Sequence, residues 1–355
     1  MGQFRPPTRD TLIAPSAPPS PAHASSNALS RRAFTRDLLS GGSRALLASV
    51  GAAGLLPSTS GCVPQSHAKF APDLVWGRRG FSEGRLLKPR AMAIDGLDQL
   101  YIVDMMGRIQ VFDTDGNYIR GWRTPIITQG KPTGLAFAND GSLLVADTHY
   151  FRMLVYSPTG ELDDSRTIGG ENGDEPGQFH FVTDVAQAAN GHFFIGQYGQ
   201  IDRIQEFDPH GRFVRRWGSQ GSDPVQFSRP QALLFDEQGL LWVADACNHR
   251  IQVFDVSGSA PSLERIWGEC GSLPGQLNCP YGMDFDHEGN LLVAEFGNHR
   301  VQRFTRDGQS LETWGQAGSE PGLFNRPWAL ITDSKFNVHV LDTENHRVQR
   351  FRHRG

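Results

Sequence analysis

The sequence predicts an all-β protein, a six-bladed β-propeller, and three observations carry that prediction. One segment recurs: ADACNHRIQVF at 244–254 returns as AEFGNHRVQRF at 294–304 and LDTENHRVQRF at 341–351, with weaker copies at 103–112, 146–156 and 196–207. The residue ahead of each unit's first strand is Pro89, Pro132, Val182, Pro230, Pro280 or Pro327, at intervals of 43, 50, 48, 50 and 47 residues. A period in the forties without helical spacing is that of propeller blades. The third observation is a split unit. PDLVWG at 72–77 reads as a fourth strand with no preceding three, and 327–351 reads as three strands with no fourth. Joined, they complete a sixth blade and remove the free sheet edges that an open array would leave.

Within a unit the elements follow a fixed order. First strands read PRAMAID, PTGLAFA, VTDVAQA, PQALLFD, PYGMDFD and PWALITD. A turn such as QG or EG leads to a second strand (LLWVAD, LLVAE) that ends on an acid. A tight turn, a third strand (RIQVF), a polar turn and a fourth strand ending in Trp-Gly complete the blade. Alternation and glycine turns suit antiparallel meanders. The string DTDGN at 113–117 has its glycine at the wrong step for an EF-hand and reads as one of these hairpin turns.

These units resemble NHL repeats, on the acid two or three residues ahead of N-H-R and the I-Q-x-F that follows, best matched at 245–254, 295–304 and 342–351. The resemblance covers about 70–355. It implies a rigid ring that presents one face to proteins, RNA or glycans, and it specifies fold far better than function.

The recurring ionic residues read as structural. A base opens the third strand of every unit (Arg108, Arg152, Arg203, Arg250, Arg300, Arg347), and an acid or amide ends the second (Asp104, Asp147, Gln197, Asp245, Glu295, Asp342). On adjacent antiparallel strands such pairs can meet across the turn as clasps. The motif histidines His249, His299 and His346 stand on different blades, too far apart for Zn–N bonds of about 2.0–2.1 Å.

Candidate ligand-binding residues follow the anchor positions, where first strands reach the mouth of the channel: Arg90, Thr133, Thr183, Gln231, Tyr281 and Trp328, with Asp184 one step further. A cation, a carboxylate, hydroxyls, an amide and two aromatics suit a polar or carbohydrate-like ligand. Two enzymatic readings compete. The propeller family of peptidyl-α-hydroxyglycine α-amidating lyases holds zinc on first-strand histidines, which are missing from all six first strands; His180 is the nearest. Gluconolactonase-like propellers group carboxylates around calcium, and here Asp184 stands nearly alone. No metal and no other cofactor is expected, and no catalytic residue is assigned. The reading favours a non-catalytic binding or scaffold module, with a metal-assisted lyase or hydrolase as the alternative.

The first 62 residues carry six Lys/Arg and two Asp/Glu, which leaves 28 basic against 36 acidic residues for 63–355. That acidic balance does not favour nucleic acid, where phosphate neutralisation supplies most of the affinity. The expected partner is a protein, a glycan or a small polar ligand, bound by a monomer. Residues 6–30, rich in Pro, Ser and Ala, have the composition of a disordered segment. SRRAF at 30–34, the mild apolar run ALLASVGAAGLL at 45–56 and TSGC at 59–62 resemble a twin-arginine export signal that ends in a lipobox-like site, with Thr59 where an aliphatic residue is usual. Twelve apolar residues are too few to span a bilayer. Lipidation of Cys62, simple cleavage and an uncleaved membrane anchor stay open. The expected domains are therefore 1–62 as tail and signal, 63–69 as linker and 70–355 as propeller, with an exported, periplasmic or cell-envelope location. Of the other cysteines, Cys247 marks one turn, while Cys270 and Cys279 flank a loop and form a candidate disulfide.

Overall fold

The computed structural model describes residues 70–352. The signal-like segment and Cys62 lie outside the described residues. Among the described residues, twenty-four strands, β1 to β24, form six four-stranded antiparallel sheets. Five sheets are continuous in sequence, over 91–123, 134–169, 181–217, 230–267 and 280–314; they are blades 1 to 5. Blade 6 combines the three strands of 327–351 with β1 (Leu74–Trp76), which pairs antiparallel with β24 (Arg347–Phe351) in the register Leu74↔Arg350, Val75↔Gln349 and Trp76↔Val348.

Six apolar clusters hold the ring, one at each blade-to-blade interface. Leu144, Ala146, Met153 and Val155 of blade 2, for example, meet Val182, Val185, Phe193, Ile195 and Phe207 of blade 3. The closing interface contains Trp76 with Leu341 and Val348 against Met92, Leu100, Ile102 and Phe112 of blade 1. Since the sheets are buried on both faces around their second strands, those strands read as nearly unbroken apolar runs. The loops between blades add fully buried plugs: Leu86, Phe179, Phe227, Leu277 and Phe324. The Trp-Gly ending serves these plugs. Gly315 has φ +86°, and a β-carbon there would lie 2.3 Å from the Phe324 ring. Glycine supplies both the left-handed backbone and the space.

All six clasp positions pair across their turns. Arg108, Arg152, Arg203, Arg250, Arg300 and Arg347 donate to Asp104, Asp147, Gln197, Asp245, Glu295 and Asp342 respectively. In blade 4 the Arg250 guanidinium also donates to the carbonyls of Ser222, Asp223 and Gln226, in the loop that enters the blade. Asp245 in turn accepts from Ser228 N, Asn248 Nδ2 and Gln252 Nε2. One ion pair therefore fixes the turn, the third strand and the incoming loop, where loose backbone carbonyls need donors.

The motif histidines link neighbouring blades. His249 Nδ1 accepts from Cys279 N at 3.1 Å, His299 Nδ1 from Arg326 N at 3.1 Å and His346 Nδ1 from Lys88 N at 2.9 Å. An accepting nitrogen must be unprotonated, and burial pushes all three pKa values down. The candidate bridge between Cys270 and Cys279 is corrected here, since both thiols are free. Cys270 pairs with Leu277 on one arm of the loop, whereas Cys279 is held at φ 51° with its amide bonded to His249.

Candidate functional site: the channel mouth

The innermost strands are β2 (Ala91–Ile94), β6 (Gly134–Phe137), β10 (Phe181–Gln187), β14 (Pro230–Phe235), β18 (Pro280–Phe285) and β22 (Pro327–Thr332). They surround a central cavity of about 300 Å³, at the lower end of small-molecule sites. Arg90, Thr133, Asp184, Gln231, Tyr281 and Trp328 all line it. In blades 3 to 6 the pairing of first and second strands shifts register between the anchor and the second residue after it, so Thr183, Gln231, Tyr281 and Trp328 sit on bulges. A bulge re-aims the side chain it carries, and here it does so at the mouth.

The hydroxyl positions act differently from the reading given to them above. Thr183 does not line the cavity; it is buried, and its hydroxyl donates to the Pro230 carbonyl of the next blade. Thr133 Oγ1 is also committed, to Thr148 Oγ1 at 2.7 Å and the Thr183 carbonyl at 3.1 Å. Both hydroxyls join blades, so neither is free to recognise a ligand. His180 lies off the axis, buried, with Nε2 2.9 Å from Asp174 Oδ1.

The remaining mouth residues form an aromatic and cationic wall. Tyr281 stacks on Phe296 at 4.6 Å between ring centroids and meets Trp328 edge to face at 5.0 Å. The Arg90 guanidinium lies over Trp328 at 5.3 Å. Arg229, absent from the sequence-based set, stands on the rim between Tyr198 at 4.7 Å and Tyr281 at 5.2 Å, with Nε donating to Gln231 Oε1 at 2.8 Å. Such contacts are worth about 0.5–2 kcal/mol each and fix the guanidinium planes. Burial and the nearby Arg229 charge pull the Arg90 pKa down, and burial pushes Tyr281 up to about 12.

Two carboxyls stand deeper in the channel. Asp184 Oδ2 accepts from Leu233 N at 3.0 Å, and burial raises its pKa to about 7. Asp284, also missed by sequence reasoning, accepts from Thr332 N at 2.6 Å and Phe285 N at 2.9 Å, and burial raises its pKa to about 6. Each carboxyl caps backbone amides on the open edge of an innermost strand, two of them on the following blade. The polar residue inside PYGMDFD was the available signal for Asp284.

A closed ring of six blades with a side-chain-lined channel and a recessed mouth defines the class: a six-bladed β-propeller with an axial cavity. The model of the SMP-30/Gluconolactonase/LRE-like region matches residues 98–321, and the chain belongs to that family. It is 29% identical over 179 residues to human NHL repeat-containing protein 3, an alignment that covers 46% of this chain and 51% of that protein. It is 33% identical over 132 residues to peptidyl-glycine alpha-amidating monooxygenase B of Xenopus laevis, covering 35% of this chain and 15% of that one. The match thus spans about half of the first relative's length and a small part of the second's. A putative gluconolactonase superposes with TM-score 0.57 at 14% identity, over 81% of this chain and 96% of its own. Streptogramin B lyase gives 0.54 at 14%, over 78% and 86%. At such identities the superpositions show the fold alone.

The channel residues do not fit the calcium or zinc that the resemblance to enzymes implies. Asp184 is the second residue after its anchor and Asp284 the fourth, on non-adjacent blades, so their depths differ by about 7 Å. Both spend oxygens on backbone amides, and among the described residues no three His, Cys, Asp or Glu side chains converge as a ligand set. Hard cations need six to eight oxygens and zinc needs three or four protein ligands. Cys247 gives no activated nucleophile either, because its surroundings push the thiol pKa up.

Proposed function

We propose that this protein is an exported binding module that takes a small polar ligand at the channel mouth without a resident metal, and that it is not an enzyme of the amidating-lyase or gluconolactonase type. The observation that supports this most is the donor set. The mouth offers fixed aromatic faces and guanidiniums over an open cavity, while the two channel carboxyls are engaged as backbone caps. The protein works as a monomer on this reading, and nucleic acid is not the partner. Fragment screening by thermal shift tests the site. Hits should raise Tm by a few degrees in the native protein and by less than half as much in Trp328→Ala; hits indifferent to Trp328→Ala would place binding elsewhere.

Export rests on the paired Arg31 and Arg32 ahead of the apolar run. Replacing both by lysine is expected to leave precursor in the cytoplasm, and unchanged export would contradict the twin-arginine route. Attachment to the membrane, through a lipid on Cys62 or an uncleaved signal, is part of the same proposal and is read by the same fractionation.

A further inference from the structure

The six clasp arginines each face a carboxylate or an amide, whereas neither Arg90 nor Arg229 at the mouth forms an ion pair with a carboxylate. Among the described residues Arg90 has no hydrogen-bond or ion-pair partner for its guanidinium, only the Trp328 ring. Arg229 has Gln231 and two tyrosine rings and, among the described residues, no carboxylate within ion-pairing distance of its guanidinium. The carboxyl of Asp202 is turned to the Arg229 backbone amide at 2.6 Å. The two cations are close enough for Arg229 to lower the Arg90 pKa, so each stands in the other's repulsive field beside an aromatic wall.

The rim repeats the charge. The residues just before the anchors are Lys88, Lys131, Phe181, Arg229, Cys279 and Arg326, so four of the six are cations. Lys88, Arg229 and Arg326 hold positive φ, from 46° to 60°, and these backbone positions are locked by His346, Asp202 and His299. Lys88 is paired with Glu344, whereas Arg326 lies over Phe296 at 5.4 Å. A fixed basic collar around a recessed site, on a chain whose overall balance is acidic, focuses attraction on one place.

We infer that the mouth selects a small organic carboxylate, its charged head held between Arg90 and Arg229 and its apolar body lowered into the channel. The orientation follows from the lining. Below the arginines the cavity wall is Ala91, Leu135, Ala232, Met283 and Leu330, and the buried Asp184 disfavours a second negative charge at that depth. A carboxylate accepts paired N–H bonds from planar guanidinium forks, and it would relieve the repulsion between them. The cavity of about 300 Å³ limits the body to one ring or a short chain.

This inference rests on the mouth being the binding site, and one experiment separates the two. Phenylacetate, phenyl phosphate and the neutral 2-phenylethanol are titrated into the intact protein by calorimetry, with Trp fluorescence as a second readout. Phenylacetate should bind roughly tenfold or more tighter than the alcohol, since charge-assisted hydrogen bonds contribute about 1.5–3 kcal/mol. Arg90→Gln with Arg229→Gln should reduce that preference to within about twofold, and Arg90→Lys, which keeps charge and loses the fork, should fall between. Variants enter the comparison once thermal unfolding shows them folded; Arg90→Lys is the fallback if the double variant is not. Equal binding of acid and alcohol, both weakened by Trp328→Ala, would overturn the carboxylate assignment and leave the mouth site standing. Stronger binding of phenyl phosphate than of phenylacetate would overturn carboxylate in favour of phosphate. Binding that ignores both Trp328→Ala and the arginine variants would sink the mouth site itself, and no binding of any probe at millimolar concentration would overturn the carboxylate assignment.

Discussion

A chain that begins at residue 78 is expected to lose the cooperative unfolding transition that a chain beginning at residue 70 retains. The shorter chain lacks β1 and with it the backbone pairing to β24 that closes the ring. It also loses Trp76, which is buried against Phe112 at 4.8 Å in the interface between blades 6 and 1. Removing a core tryptophan side chain alone costs about 3–5 kcal/mol. Asp73, which pairs with Arg350 at 2.8 Å and Arg352 at 2.9 Å, disappears as well. Against a usual domain stability of about 5–15 kcal/mol, the combined loss removes most of the folded population. The freed edge of β24 then invites pairing between molecules. Denaturant unfolding followed by tryptophan fluorescence, with light scattering for association, checks this. Equal midpoints for the two chains would show that the ring is not closed by β1.

Asp245→Ala should destabilise the protein by about 3–5 kcal/mol, because it leaves a buried guanidinium without its counter-charge. The Arg250 side chain is 10% exposed and the Asp245 side chain 0%. The carbonyls of Ser222, Asp223 and Gln226 still hold the guanidinium, yet three other donors, Ser228 N, Asn248 Nδ2 and Gln252 Nε2, lose their acceptor together. Blade 3 already carries an amide at this place, Gln197 facing Arg203 at 3.3 Å. Asp245→Asn is accordingly expected to cost about 1–2 kcal/mol. Asp245→Leu combined with Arg250→Met should cost less than Asp245→Ala alone, since no charge is then left unpaired. Urea midpoints order the three variants. If Asp245→Ala is no worse than Asp245→Asn, the acceptor oxygens at this position do not hold the clasp together.

These two results concern features that the sequence displays openly, and the reason is locality. The clasp partners are four to six residues apart across a tight turn, and the split blade shows itself because a four-strand unit has a countable pattern. The six-blade ring and its closing strand lie within reach of such counting. The site was legible only in outline. The anchor positions identify which residues approach the mouth, but a bulge decides how each is aimed, and bulges at Thr183, Gln231, Tyr281 and Trp328 come from the pairing of two whole strands. The reading gave Thr183 and Thr133 to a ligand, whereas both hydroxyls face the backbone or side chains of their own ring. Arg229 was overlooked because it precedes the anchor instead of following it, although the cations at 88, 131, 229 and 326 form a pattern along the chain. The links from His249, His299 and His346 to the next blade join residues 27 to 258 positions apart, beyond anything local spacing can show.

The measurement that tests the account most directly is the metal content of the purified, folded protein, by elemental analysis after dialysis against buffer containing zinc and calcium. A mouth built on guanidiniums and aromatic rings, above carboxyls engaged as backbone caps, predicts less than about one tenth of an equivalent of either metal, in the native protein and in Asp184→Ala alike. One equivalent of calcium or zinc in the native protein, lost on Asp184→Ala, would contradict it and make the channel a metal centre.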